Sequence, residues 1–238
     1  MDPFEHIASQ TTPDDRASLL AIQEAARALG PYTYLEVGSH LGGTIQPHIV
    51  DPLCRRIYSI DKRPTEQPDE RGRSYSYGSA NTTQRMLDYL ARIPGADLTK
   101  LETFDLDTGD LSTSLIADTP MYCFVDAEHT DRAIQSDFAF CEAVSHGQLV
   151  FISHDAYIVY RGLKAIIDRL TSTHPFCKVL FLPSHLFLID TVGRISSHPT
   201  VIARALEAWR GYLEGLLIND WYKQEFLKLC PDRNAIAI

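Results

Sequence analysis

The chain has 238 residues, 45% of them apolar and 22% charged, and carries a net charge of -9. That length and composition suit one α/β domain with a full hydrophobic core and exclude a disordered chain. The acidic balance excludes a general affinity for nucleic-acid phosphates: Arg and Lys are scattered, and the densest charged run, "DKRPTEQPDERGR", carries as many acids as bases.

Residues 1–15 read as a flexible lead-in punctuated by Pro3 and Pro13. "DDRASLLAIQEAARALG" follows as an amphipathic helix with acids at its start and Gly30-Pro31 at its end. Short apolar runs then alternate with helical patterns. Strands are expected at Tyr32–Val37, Arg56–Ile60, Leu98–Phe104, Met121–Val125 and Gln148–Ser153. Helices are expected at Thr44–Val50, Thr82–Ile93, Ser112–Ala117, Asp131–Ser145 and Tyr160–Thr173. Such alternation demands crossover connections, hence a parallel sheet with helices on both faces. Lys178–Leu182 and Leu186–Asp190 are joined only by "PSH", too short for a parallel crossover, so they should form an antiparallel pair. The expectation is a doubly wound α/β sheet of five parallel strands plus an antiparallel C-terminal hairpin. One domain spans 1–238, and 198–238 form a final helix, "PTVIARALEAWRGYLEGLLI", with a tail.

The five cysteines are far apart and form no CxxC pair, so reduced thiols and a cytoplasmic setting are expected. No leader-like apolar segment opens the chain, and no apolar run is long enough for a bilayer.

"YTYLEVGSHLGGT" runs a buried strand into Gly38, Ser39 and the pair Gly42-Gly43 before a helix. In an open α/β sheet the ligand lies outside the carboxyl ends of the strands, and glycines there let it approach bare backbone. Dinucleotide binding wants G-x-G-x-x-G, which would place a glycine where His40 stands. Glu36, two residues before Gly38, points elsewhere. The stretch resembles motif I of the class I S-adenosylmethionine-dependent methyltransferases, E/D-x-G-x-x-x-G. The resemblance implies a Rossmann-like methyltransferase fold and S-adenosyl-L-methionine (SAM) as cofactor. The second strand ends in Asp61, suited to a bidentate contact with ribose hydroxyls, and the third ends near Asp105, a candidate for the adenine amino group.

The fourth strand, "MYCFVDAEHT", ends in Asp126, Glu128 and His129, and the fifth, "GQLVFISHDAY", in His154-Asp155. Gathering so many titratable groups at one rim is costly unless they bind a cation or share protons. The pattern resembles the sugar O-methyltransferases of macrolide and aminocoumarin pathways and cephalosporin-hydroxylase-like proteins (methyltransferase domain 24). That resemblance implies Asp126 and the pair His154-Asp155 as ligands of a divalent metal, Mg²⁺ in the family, and His129 as general base with Glu128 as its competitor. Asp126 also counts among the cofactor-facing residues. His154 stands where the family has an acid, so a softer ion or none competes with Mg²⁺. A hydroxyl acceptor explains the cluster, because a neutral alcohol needs a base and an amine does not.

The expected partner is a small molecule carrying a hydroxyl, without nucleic acid or membrane and with room for a homo-oligomer. An NAD(P)-dependent oxidoreductase and a non-catalytic cofactor-binding relic are the competing readings. His185 reads as a hairpin-turn residue and His174 as a helix end, His48, His146 and His198 have no partner legible in the sequence, and Trp209, Trp221 and Tyr222 read as packing or dimer contacts.

Overall fold

The structure, a computed structural model, describes residues 2–229 apart from Pro175 and His185. His185 and the tail at 230–238, with Cys230, lie outside the described residues.

The chain opens with α1 (Pro13–Leu29), capped by Thr12 and Asp15 in a reciprocal capping box and closed at Gly30. There follow β1 (Tyr32–Val37), the single turn α2 (Gln46–Ile49) and β2 (Cys54–Ile60). A small antiparallel ribbon, β3 (Glu66–Pro68) with β4 (Ser74–Ser76), precedes α3 (Thr83–Leu90). The remaining elements are β5 (Leu101–Phe104), β6 (Tyr122–Val125), α4 (Asp131–Val144), β7 (Val150–Ser153), α5 (Tyr160–Thr173), β8 (Lys178–Phe181), β9 (Phe187–Asp190) and α6 (Pro199–Leu229).

The main sheet has the order β5-β2-β1-β6-β7-β9-β8. The first five are mutually parallel, β9 runs against β7, and β8 runs against β9, as the short "PSH" link requires. Strand order reverses between β1 and β6, which opens a crevice at their carboxyl ends. The sheet residues are apolar on both faces because helices cover both. Tyr34, Ile57, Phe124 and Ile152 pack with α1, α3 and α6 on one side. Leu35, Tyr58, Cys123 and Phe151 pack with α4 and α5 on the other.

Four expectations change. Ser112–Ala117 is not an α-helix: only Thr113–Leu115 form a 3₁₀ turn, as Ser112 supplies no side-chain cap and no residue of the turn is buried. Leu98–Lys100 also turn in 3₁₀ fashion, with Asp97 accepting the Thr99 amide, and the strand begins at Leu101. The lead-in is docked: Phe4 and Ile7 are buried, and the Gln46 side chain accepts the His6 and Ile7 amides while donating to the Ile7 and Gly43 carbonyls. Trp209, Trp221 and Tyr222 are more than half exposed on α6, with Trp209 edge-on to Tyr212 and Trp221 edge-on to Tyr222, so they take no part in the core of the described residues. Cys54, Cys123, Cys141 and Cys177 are free thiols. No helix among the described residues is long and apolar enough to cross a membrane.

Candidate functional site

The turn after β1 is shaped by Gly38, whose φ of +90° lies in the left-handed region. A Cβ there would stand 2.1 Å from the Asp126 carbonyl oxygen and 2.7 Å from the Ala127 Cα, both backbone atoms. Only glycine lets the ends of β1 and β6 approach so closely. Gly43 serves the next contact, where a Cβ would meet the Ser9 Cα at 2.9 Å. The lead-in therefore lies directly on the glycine loop.

Asp61, at the end of β2, accepts the His40 amide at 2.8 Å on one oxygen and the Arg63 amide at 2.8 Å on the other. Oδ2 also faces the Arg63 guanidinium at 3.4 Å, so Oδ1 keeps the freer lone pair for an incoming hydroxyl. Ser39 accepts a hydrogen bond from Ser59 at 2.8 Å and is buried at the same turn. Glu36 is fully buried and accepts from the Tyr34 and Thr44 hydroxyls. Burial pushes its carboxyl up to about 7 against these hydrogen bonds.

Between these groups and the end of β6 lies an open cleft of about 790 Å³, its open mouth included. Gly38, Ser39, His40 and Asp61 line one wall, and Asp126, Ala127 and Glu128 another. Leu106, Asp107, Thr108 and Asp137 close the far end. Ala8, Ser9 and Gln10 of the lead-in cover the glycine loop, and Gln67, Tyr77 and Asn81 come from the segment around the β3–β4 ribbon. Lys62 spans the cleft rim, 2.6 Å from Glu128 and 3.4 Å from Asp107.

The charged ends of β6 and β7 meet beside this cleft. Asp126 Oδ1 lies 3.3 Å from His129 Nε2 and 3.1 Å from His154 Nδ1. Asp155 Oδ2 lies 3.4 Å from each of the same nitrogens. On its far edge His154 Nε2 faces Asp15 Oδ2, at 3.3 Å. Burial alone would depress the His154 imidazole, but Asp126, Asp15 and Asp155 outweigh it and push it up to about 12. Burial likewise opposes ionisation of Asp126, yet the two imidazoles hold it well below the usual carboxylate range. Three carboxylates, Asp15, Asp126 and Asp155, thus surround the two imidazoles. Asp126, His154 and Asp155 offer two carboxylate oxygens and an imidazole nitrogen within 4.8 Å of one another. That mixed oxygen and nitrogen set fits a divalent transition metal and is less suited to Mg²⁺, which prefers oxygen alone.

Of the residues singled out from the sequence, Gly38, Ser39, Gly43, Asp61, Asp126 and Glu128 line the cleft, and His129, His154 and Asp155 adjoin it through Asp126. Glu36 sits behind the loop rather than in the cleft wall, and a Cβ on Gly42 would meet Met86 and Leu90 at 3.2 Å. Asp105 turns outward, taking the Thr83 hydroxyl and lying 3.7 Å from Arg63. The next three residues reach the cleft in its place. Sequence reasoning missed Asp15, Lys62 and Asp137. Asp15 announced itself only as a helix cap, and Asp137 as one polar residue on an amphipathic helix. Lys62 follows Asp61 directly, and its neighbourhood could have marked it.

No protein-family model and no curated protein matches the sequence. Solved structures do resemble the fold. The O-methyltransferase NovP superposes with a TM-score of 0.55 over 73% of this chain and 77% of its own, at 11% identity. TomG, an O-methyltransferase from Streptomyces achromogenes solved with SAM, gives 0.50 over 76% and 80%, at 14% identity. An O-methyltransferase from Bacillus cereus solved with S-adenosylhomocysteine (SAH) gives 0.50 over 78% and 82%, also at 14% identity. With its seven-stranded, mostly parallel sheet the chain has the Rossmann-like fold of the class I methyltransferases.

Proposed function

We propose that this protein is a SAM-dependent methyltransferase that methylates a hydroxyl of a small molecule, such as a sugar or natural product, in the cytoplasm. The observation that carries the reading is Asp126. It forms part of the cleft wall opposite the glycine loop and also bonds both imidazoles of the charged cluster. A donor held between Gly38, Asp61 and residues 106–108 would point its sulfonium at that cluster.

The reaction is an in-line displacement. The acceptor oxygen forms a bond to the methyl carbon as the carbon–sulfur bond breaks, the sulfur keeps the electron pair, and the hydroxyl proton passes to a base. His129 is the residue we assign to that step. Its Nε2 faces Asp126 and Asp155, so the carboxylates hold the proton on that nitrogen and leave Nδ1 as acceptor. Glu128 is less suited, because Lys62 neutralises it at 2.6 Å. Tyr75 sets its ring edge-on to His129 at 5.7 Å, and the Glu70 amide donates to the His129 carbonyl, so the ribbon region fixes one wall beside the base. Asp126, His154 and Asp155 would hold a divalent cation, which when bound would lower the pKa of an acceptor hydroxyl and fix its line of attack.

The test is SAH release from SAM during incubation with a panel of sugars, polyols and phenols. An acceptor should be found, and His129→Ala should then lower kcat by about 10²–10⁴-fold, the usual contribution of a general base, with little change in SAH affinity. Glu128→Gln should cost far less. Turnover insensitive to both substitutions would remove the base assignment, and no turnover across the panel would count against the hydroxyl acceptor.

A further inference from the structure

Asp15 is fully buried in the first turn of α1, 139 positions from His154, yet its Oδ2 lies 3.3 Å from the His154 Nε2. The same oxygen accepts the Thr12 amide at 2.8 Å and the Thr12 hydroxyl at 2.7 Å. It is therefore surrounded by donors, and the imidazole must present Nε2–H to it. The other edge of the ring then turns Nδ1 toward Asp126 at 3.1 Å and Asp155 at 3.4 Å.

We infer that Asp15 is a positioning residue: by accepting the Nε2 proton of His154 it aims Nδ1 into the space between Asp126 and Asp155, where a bound divalent cation takes the place of the Nδ1 proton, so that α1 completes a divalent-cation site built on β6 and β7. A carboxylate on the far nitrogen of a metal-bound histidine fixes both tautomer and ring orientation and raises ligand basicity. Helix capping alone asks for none of this. A capping box is satisfied between Thr12 and Asp15 themselves and does not require either to touch a strand end on the other side of the cleft. The inference rests on reading Asp126, His154 and Asp155 as a cation site. It adds that the N-terminal helix, absent from any motif in the chain, sets the affinity of that site.

The experiment is Mn²⁺ titration of the full chain without cofactor, followed by electron paramagnetic resonance, with SAH binding measured calorimetrically on the same samples. Wild type should bind one Mn²⁺. Asp15→Leu should weaken binding about 10–100-fold, the usual effect of losing such a partner. Asp15→Asn keeps an oxygen acceptor without the charge and should weaken it by a smaller factor, at least about threefold. Ser18→Ala removes hydrogen bonds of the same helix, to the Asp14 carbonyl and from Arg204, without touching Asp15 Oδ2, and should leave Mn²⁺ affinity unchanged. If Asp15→Leu does not fold, Asp15→Asn against Ser18→Ala gives the same comparison. The inference is overturned if wild type binds no Mn²⁺, if the Asp15 variants bind as tightly as wild type, or if Ser18→Ala weakens binding as much as they do. Intact SAH binding alongside any of these results leaves the methyl-donor reading standing: absence of Mn²⁺ from wild type removes the cation site, and the other two results remove only the role of Asp15.

Discussion

Burial holds the Glu36 carboxyl at about 7, up from an ordinary 4.5, and does the same for Asp137, which rises to about 7. A carboxyl whose folded-state pKa is raised stabilises the fold fully below its unfolded value and loses that contribution as pH climbs through the folded one. Both groups therefore act in one direction, and thermal stability should fall between about pH 5 and pH 8. His154 adds to the fall above its ordinary 6.5, so the informative quantity is a difference between proteins. Glu36→Gln keeps hydrogen-bonding capacity toward Tyr34 and Thr44 but does not titrate, and its melting midpoint should decline less steeply over that range than wild type. Parallel curves would show that Glu36 titrates as it does in the unfolded chain. Asp61 is different in kind: its oxygens hold the His40 and Arg63 amides, so it shapes the loop as well as offering lone pairs.

At the scale of elements, period and turn chemistry made the scaffold legible. The β1 and α5 boundaries coincide with the expected ones, because each is bounded by polar or turn residues and carries an unambiguous apolar pattern. The short "PSH" link forced the antiparallel pair. What could not be read was long-range. The β3–β4 ribbon has three-residue strands, too short for a period to emerge, yet the adjoining Glu70 amide bonds the His129 carbonyl. The lead-in has no pattern of its own and is ordered by Gln46, some forty positions away, through three hydrogen bonds. Asp15 reaches His154 only because α1 folds over the crevice. Gln46→Leu should therefore free the lead-in. Amide exchange at Ile7 should accelerate by about 10-fold or more, as expected for a lost hydrogen bond of about 1.5 kcal/mol, and SAH should bind more weakly. Unchanged exchange at Ile7 would mean that the buried Phe4 and Ile7 side chains suffice to hold the segment.

For the whole molecule, the sheet order decides the chemistry. The reversal between β1 and β6 places the glycine loop and the acidic strand end on one rim, and the Gly38 approach to Asp126 makes that contact as tight as backbone allows. The cleft formed there is bounded on one side by Asp61 and on the other by the two-histidine, three-carboxylate cluster. Residue types alone suggested the rim, whereas the pairing of His154 between Asp15 and Asp126 required the fold. The most direct test of the account is calorimetric titration of the full chain with SAH, run beside NADPH under the same buffer. One SAH should bind per chain with micromolar affinity or better, and NADPH should give no heat. Binding of NADPH in preference to SAH, or of neither, would contradict the assignment of the β1–β6 crevice to a sulfonium donor.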